Sequence, residues 1–135
     1  MQPKWCIIGE GKSLSEPVES QHPHLQVEQI DGLVAAAGVD GTRAILDAFW
    51  RSTTDLVDTL ATQVRQNTLD LASQTAHAVK GSAANVGAQR LANTTATFEE
   101  ACRRGDQDAV EAALEAVTAD FAAVREHFEE HLSKA

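Results

Sequence analysis

His77 and Lys80 lie three positions apart in an alanine-rich stretch, and Gly81 follows at once. Residues three or four apart are neighbours on a helix, so the imidazole and the ammonium share one helical surface with Gly81 and Ala84. A neutral imidazole nitrogen is a competent nucleophile toward phosphorus. A phosphoryl group bound there carries about two negative charges, which an ammonium one turn away offsets. This pair therefore has the chemistry needed to hold a phosphoryl group.

Gly81 stands in the interior of the same predicted helix. The apolar positions recur in steps of four and three without a break: Ala72, Ala76, Val79, Ala83 and Val86. A glycine inside a helix costs about 1 kcal/mol against alanine, so an in-phase glycine has a packing or functional reason. We interpret it as space for a partner approaching His77. The competing interpretation, a helix that ends at Gly81-Ser82, conflicts with the unbroken apolar phase.

The surroundings of His77 carry no carboxylate in the sequence. Between Leu71 and Phe98 the charged residues are Lys80 and Arg90 alone, although the chain as a whole has a net charge of −9. A solvated surface normally mixes charges of both signs. A segment without acidic residues does not repel an incoming anion, so this segment is suited to bind one.

Composition limits the class of protein. The 135 residues, 43% of them hydrophobic, suffice for one domain with a core. The net charge argues against nucleic acid or an anionic membrane as a partner. No apolar run approaches the roughly 18 residues of a membrane span, and no signal-peptide layout opens the chain. Cys6 and Cys102 are far apart and in no metal or redox motif. We expect a cytoplasmic protein.

The apolar periodicity predicts one short helix and four long ones. The short helix includes Ile30 to Ala37 and stops at Gly38, and Asp40 is the predicted N-cap of the next helix. The inward residues predicted for that first long helix are Ile45, Phe49, Thr53, Leu56, Leu60 and Val64. The following helix, capped by Asn67 or Thr68, carries His77 and ends at Gly87.

Two further helices complete the pattern. One runs from about Ala88 to Arg104 and ends at Gly105, with Leu91, Thr95, Phe98 and Cys102 inward. The last, capped by Asp106, has the stripe Val110, Leu114, Val117, Phe121, Val124, Phe128 and Leu132. Short loops make antiparallel neighbours. The sequence therefore predicts an all-α fold, an antiparallel four-helix bundle with a short additional N-terminal helix. Residues 1–29 form a predicted arm or linker, and residues 30–135 the bundle domain.

The central stretch resembles the histidine-containing phosphotransfer (HPt) domains of multistep two-component phosphorelays. The family's signature is a His, a Lys three residues on, a Gly next, small residues, and a closing hydrophobic-Gly pair. Here these are His77, Lys80, Gly81, Ser82-Ala83-Ala84 and Val86-Gly87. The likeness extends over roughly residues 31–132.

The resemblance implies a phosphoryl carrier. His77 would accept a phosphoryl group from the aspartate of a receiver domain and pass it to another receiver domain, in a hybrid histidine kinase or a response regulator. Such a protein is not an enzyme, and this chain has no nucleotide-binding motif for ATP-dependent kinase activity. The resemblance implies no cofactor in the chain itself, since Mg²⁺ belongs to the partner receiver. We expect a monomer that binds neither nucleic acid nor membrane.

Several further residues are candidates for supporting this site. The predicted hairpin turns near Gly87, so the helical rise places Glu99 and Arg103 level with His77. HPt domains often carry polar residues there, so Glu99 would hold the ring and Arg103 would offer a second cation. A carboxylate disfavours the phosphoryl charge, and two exposed residues without a task are an equal alternative.

The remaining candidates concern phosphoryl binding and docking. Ser82 is a candidate donor to the phosphoryl oxygens, although small-residue packing accounts for it equally well. The predicted docking surface is the exposed face around His77, with contributions from Ala84, Arg90 and the short helix from Asp31 to Ala37.

Two alternatives belong to other functional classes. His127 and His131 are four apart on the last helix, a spacing that can ligate Zn²⁺, but no third ligand has a fixed spacing to them. We therefore predict no metal site. The other alternative is an inert helical adaptor that binds receiver domains without accepting phosphate, and the presence of His77 argues against it.

Overall fold

The computed structural model describes residues 24–134, which form four helices. They are α1 (Val27–Arg65), α2 (Leu69–Asn85), α3 (Gln89–Arg104) and α4 (Gln107–Leu132). Helix α1 packs on α2 and α4, α2 packs on α3, and α3 packs on α4. This part of the chain contains no strand. The predicted all-α four-helix bundle is confirmed. Most of the predicted N-terminal arm, residues 1–23, lies outside the described residues.

Gly38 interrupts α1 with non-helical angles, φ 77° and ψ 170°. A positive φ strains any residue with a Cβ, so a glycine is suited to this kink. The predicted short N-terminal helix is therefore the part of α1 before the kink, starting at Val27 rather than near Ile30. The prediction that Asp40 is the N-cap is wrong, because the chain has resumed helical angles before it reaches that residue.

The turn between α2 and α3 depends on Gly87. Its φ of 79° lets the chain reverse, and its amide donates to the Ala84 carbonyl at 3.3 Å. The Ala88 amide donates to the Ala83 carbonyl at 2.9 Å, which completes the hydrogen-bond pattern of a helix C-terminus. The predicted end of the His77 helix is therefore confirmed.

The other helix ends follow the predictions with one exception. Gly105, with φ 70°, ends α3, and the Asp106 carboxylate accepts a hydrogen bond from the Ala109 amide at 3.2 Å. Thr68 occupies the N-cap position of α2, but its hydroxyl donates backward to the Gln63 carbonyl at 3.1 Å. The predicted side-chain cap is therefore not formed there.

The core lies between the four helices and contains nearly all predicted inward residues. Ile45 is exposed, at 39%, whereas its neighbour Leu46 is only 7% exposed. The inward stripe of α1 runs through Thr42, Leu46, Phe49, Thr53, Val57, Leu60 and Val64. Steps of three and four backward from Phe49 reach Leu46 and Thr42, which leaves Ile45 at the edge of the stripe. The predicted inward positions Leu56 and Leu114 are half-buried.

Small side chains fill the contact between α2 and α3. Ala72, Ala76 and Ala83 of α2 are completely buried, and Ala101 of α3 is 1% exposed. Alanine lets two helix backbones approach closely, so polar side chains at the margin of this contact can meet across it. Among the described residues, no helix is both long enough and apolar enough to cross a membrane.

Candidate functional site

His77 lies on the exposed face of α2, opposite the face that packs in the core. Ala76 and Val79 are completely buried, whereas the His77 side chain is 72% exposed and that of Lys80 is 34% exposed. Both residues lie on the outer surface of the bundle, one helical turn apart. The predicted shared surface is therefore present.

Glu99 of α3 joins this pair from the neighbouring helix. Lys80 Nζ donates to Glu99 Oε1 at 2.9 Å, and His77 Nδ1 lies 3.3 Å from Glu99 Oε2. Arg103, one turn further along α3, places a guanidinium nitrogen 3.3 Å from the same Oε2. The Glu99 side chain is only 9% exposed, so it is not the exposed residue of the alternative interpretation. The structure brings these four predicted residues together.

The electrostatics of the cluster follow from this arrangement. Burial raises the pKa of the Glu99 carboxyl, but the hydrogen bond and charge of Lys80, followed by those of His77, outweigh it and lower the pKa overall. Glu99 is therefore an anion at neutral pH. Burial and the Glu99 charge raise the pKa of the Cys102 thiol, which stays protonated beneath the cluster.

Gly81 faces open space beside His77. A Cβ built at this position would meet nothing within 4 Å, so packing within the described residues does not require a glycine. Ser82, the next residue, is half-buried, and Ala84 is exposed on the same side of α2 as Gly81. The interpretation that Gly81 leaves space for a partner agrees with this geometry.

An uncharged groove of about 230 Å³ continues along the same surface. It is lined by Gln26, Gln29, Ala84, Gly87, Gln89, Ala92 and Asn93. Ala84 lies seven positions after His77 on α2, and Ala92 seven before Glu99 on α3, so the groove is about two helical turns from the cluster. The Gln29 amide donates to the carbonyls of Ala84 and Asn85 at 2.9 Å each.

Arg90 lies at the other end of this surface. It is nine positions before Glu99, or roughly 14 Å along α3, so the structure does not bring it to His77. Its guanidinium lies 2.9 Å from His24 Nε2, and its amide donates to the His24 carbonyl at 3.4 Å. The His24 ring stacks on His127 at a centroid distance of 3.8 Å. Burial, Arg90 and His127 lower the pKa of His24, against an opposing effect of Asp120.

The histidines of α4 have partners other than a metal. His127 stacks on His24, and His131 Nε2 lies 2.7 Å from Asp31. Between residues 24 and 134, no group of three or more His, Cys, Asp or Glu residues could hold a metal ion. The metal-binding alternative therefore has no third ligand in this part of the chain.

The sequence reasoning missed the roles of His24 and Gln29, which it assigned to the arm. Both contact the α2–α3 turn more than 50 positions away in sequence. No local pattern marks such contacts. The apolar pattern predicts that Ile30, which lies close to both residues in sequence, faces inward. Ile30 is completely buried, so this part of the chain packs on the bundle.

Comparison with known proteins identifies the family. The model of the Hpt domain matches residues 44–127, more than half of the chain. The chain therefore belongs to the Hpt domain family. A search of curated protein sequences finds no match.

Three solved structures to which the chain is similar are also histidine-containing phosphotransfer proteins. The chain is similar to histidine-containing phosphotransfer protein B from Pseudomonas aeruginosa PAO1, with 26% identity, a TM-score of 0.74, and coverage of 84% of this chain and 97% of that one. A putative histidine-containing phosphotransfer protein from rice is 27% identical, with a TM-score of 0.71 and coverage of 84% and 82%. A histidine-containing phosphotransfer protein from maize is 27% identical, with a TM-score of 0.71 and coverage of 82% and 84%.

Proposed function

We propose that this protein is a phosphoryl carrier of a two-component phosphorelay, with His77 as the phosphorylated residue. His77 accepts the phosphoryl group from the aspartate of one receiver domain and passes it to another. Membership of the Hpt domain family supports the histidine phosphotransfer role. The observation that carries the assignment to His77 is its exposed ring, with Nδ1 against Glu99 and an ammonium one turn away.

The contact with Glu99 selects the nucleophilic atom. A carboxylate beside Nδ1 favours the tautomer with the proton on Nδ1, which leaves the lone pair on Nε2. Nε2 then attacks phosphorus, and the bond between phosphorus and the aspartate oxygen breaks with its electrons returning to the carboxylate. Nothing on the described chain has to take up a proton in this step.

Lys80 and Arg103 supply the positive charge of the site. Phosphoryl transfer is catalysed mainly by alignment and charge neutralisation. The ammonium of Lys80 is one turn from His77, and Arg103 is a second cation held at Glu99. We propose that the remaining neutralisation, by Mg²⁺, comes with the receiver domain and that this chain brings no cofactor or kinase activity of its own. Ser82, half-buried beside Gly81, stays a candidate donor to the phosphoryl oxygens.

The proposed docking surface is centred on Gly81. It extends from His77 to the uncharged groove at Ala84 and to the residues of α1 before the kink, and Arg90 lies at its far edge. The uncharged lining of the groove and the open space at Gly81 suit a partner that itself brings acidic residues and an anionic phosphoryl group. We propose that the protein is cytoplasmic and monomeric.

Phosphoryl transfer from a receiver domain tests this function directly. A receiver domain is charged on its aspartate with a small phosphodonor and Mg²⁺, then mixed with the wild type, His77→Ala or His131→Ala. We expect acid-labile, base-stable phosphate on the wild type and on His131→Ala, but none on His77→Ala. Unchanged helicity of His77→Ala by circular dichroism confirms a surface site.

The same experiment identifies the inert adaptor. If a panel of receiver domains binds the wild type without transferring phosphate, the carrier function is wrong and the adaptor is the correct interpretation. Label on His77→Ala would show that another residue is phosphorylated.

A further inference from the structure

His24 joins the start of the described chain to the turn between α2 and α3. Its carbonyl accepts a hydrogen bond from the Arg90 amide at 3.4 Å, and the Gln26 amide donates to the Gly87 carbonyl at 2.7 Å. Residues 24–26, which we call the anchor segment, are thus held against the turn by two backbone hydrogen bonds.

The anchor segment also forms part of the uncharged groove. Gln26 lines this groove together with Ala84 of α2 and Ala92 of α3. A Cβ built on Gly87 would come within 3.3 Å of the Gln26 carbonyl oxygen, so the segment and the turn are in close contact. The proposed docking surface includes this groove. Its shape therefore depends on whether the anchor segment stays bound to the turn.

The side chain of His24 is held in its neutral form by Arg90. The Arg90 Nη1 atom lies 2.9 Å from His24 Nε2. A guanidinium group has only donors, so Nε2 accepts this hydrogen bond and the proton of the ring is on Nδ1. A protonated imidazole has two N–H donors and no acceptor. Protonation of His24 therefore removes the hydrogen bond and places two cations side by side.

The charged and titratable groups around the His24 ring come from α3 and α4. Besides Arg90 of α3, they are Asp120, His127, Glu130, His131 and Lys134 of α4. Burial, Arg90 and His127 lower the pKa of His24, whereas Asp120 raises it. The ring also lines a surface cleft of about 250 Å³, through which water reaches it.

The ring of His127 adds to the effect of Arg90. It stacks on His24 at a centroid distance of 3.8 Å with an angle of 18° between the two planes. Two stacked neutral imidazoles attract each other, but two charged ones repel. Acid therefore weakens both side-chain contacts of His24 that hold the anchor segment.

We propose that protonation of His24 releases the anchor segment from the α2–α3 turn and opens the docking groove, so that acid weakens binding of the receiver domain. The consequence for the receiver domain rests on the proposed function. Release occurs in acid because a His24 ring in water binds a proton more readily than one held beside Arg90.

The rest of the short helix before Gly38 stays in place when the anchor segment is released. Ile30 is completely buried in the core. His131 Nε2 lies 2.7 Å from the Asp31 carboxylate, and protonation of His131 strengthens this contact. The effect of acid is therefore confined to residues 24–26 and to the groove beside them.

Amide hydrogen exchange measured by NMR tests the release, with rates corrected for the intrinsic effect of pH. The amides of Gln26 and Arg90 report the two hydrogen bonds of the anchor segment. The Ala88 amide, which donates to the Ala83 carbonyl of α2, is the internal reference. From about pH 7.5 to pH 5.5 we expect protection of Gln26 and Arg90 to fall about fivefold, as for the loss of one hydrogen bond, with Ala88 unchanged. Unchanged protection, or an equal loss at Ala88, overturns the proposal.

Two substitutions test whether His24 is the group that responds. His24→Gln keeps an acceptor for Arg90 but does not titrate, so the two amides should stay protected in acid. His24→Lys carries a charge and no acceptor, so they should already be unprotected at neutral pH. His131→Gln, on the same cleft, is the control and should respond to pH as the wild type does.

The wild-type pH response in His24→Gln, or protected amides in His24→Lys, would overturn the proposal. If His24→Gln does not hold the anchor segment even at neutral pH, the wild type and His24→Lys decide the question.

Binding of one receiver domain, measured by calorimetry at both pH values, tests the consequence for docking. The ratio of the dissociation constants of the wild type and His24→Gln cancels the titration of the receiver and of His77, which both proteins share. We expect a ratio of one at neutral pH and about fivefold weaker binding by the wild type in acid.

The two measurements separate this proposal from the carrier function. If the amides respond but the ratio stays at one, the anchor segment does not control docking and the proposal is wrong, although the carrier function stands. If no receiver domain of a panel binds or phosphorylates the wild type, the carrier function fails, and the docking consequence of His24 protonation fails with it.

Discussion

Lys80 and Glu99 form an ion pair across the contact of α2 and α3, with Nζ 2.9 Å from Oε1. The Glu99 side chain is nine-tenths buried, whereas one-third of the Lys80 side chain is exposed. The pair therefore fixes the lysine from its buried side and leaves its outer side available to an anion on His77. One interaction thus both joins two helices and positions the cation of the site.

Gly81→Leu should weaken docking of the receiver domain without weakening the fold. A Cβ at this position meets nothing within 4 Å, and replacing glycine in a helix by a better helix former contributes up to about 1 kcal/mol of stability. We expect unfolding in urea to shift to higher concentration, while transfer from a receiver falls at least about tenfold because the side chain blocks approach to His77.

The matched control for this substitution is Ala116→Leu, which adds a similar bulk at an exposed position of α4. It should leave transfer unchanged. Equal transfer by Gly81→Leu and the wild type would show that the open space at Gly81 has no role in docking.

Phe98→Ala should destabilise the bundle by about 3–5 kcal/mol, the usual result of removing a fully buried aromatic side chain. Phe98 is completely buried and directly precedes Glu99 on α3. Urea unfolding followed by circular dichroism measures the change. A loss below about 1 kcal/mol would contradict the packing of α3 described above.

Gln29→Ala should cost about 1 kcal/mol, because its amide makes two hydrogen bonds to the last carbonyls of α2 on an exposed surface. Glu28→Ala, an exposed neighbour in the first turn of α1, is the control and should have a smaller effect. Amide hydrogen exchange at Gly87 and Ala88 should accelerate in Gln29→Ala alone. Equal exchange in both variants would show that Gln29 does not hold this turn.

His24 should make the folded protein less stable as the pH falls. Its pKa in the folded protein is lowered from the ordinary 6.5 by burial, Arg90 and His127, so the unfolded chain binds the proton more readily. The contribution of neutral His24 to the free energy of unfolding is fully present above about pH 6.5. It is lost as the pH falls through the lowered pKa of His24 in the folded protein.

His24→Gln should therefore lose less stability than the wild type between about pH 7.5 and pH 5.5, as measured by urea unfolding. Both proteins contain Glu99, whose lowered pKa affects them alike at more acidic pH. If the two proteins lose stability equally over this interval, the stacked and hydrogen-bonded His24 ring does not control it.

The sequence determined the local geometry of the site. Helical periodicity alone placed His77, Lys80 and Gly81 on one outward surface, because positions on a helix repeat every 3.6 residues. Turn chemistry placed the helix ends at Gly87 and Gly105, since both adopt a positive φ. The prediction that Ile45 faces the core is wrong, because Ile45 and Leu46 are both apolar and only the packing between helices decides which of them is buried.

The tertiary structure decided the environment of the ring. Helical rise put Glu99 level with His77, but its burial and its contact with Nδ1 depend on how closely the alanine surfaces of α2 and α3 approach. The contacts of Gln29 and His24 with the α2–α3 turn join residues distant in the chain, so no local pattern encodes them. Residue type and helical spacing thus define the nucleophile, while packing between helices defines the charge that surrounds it.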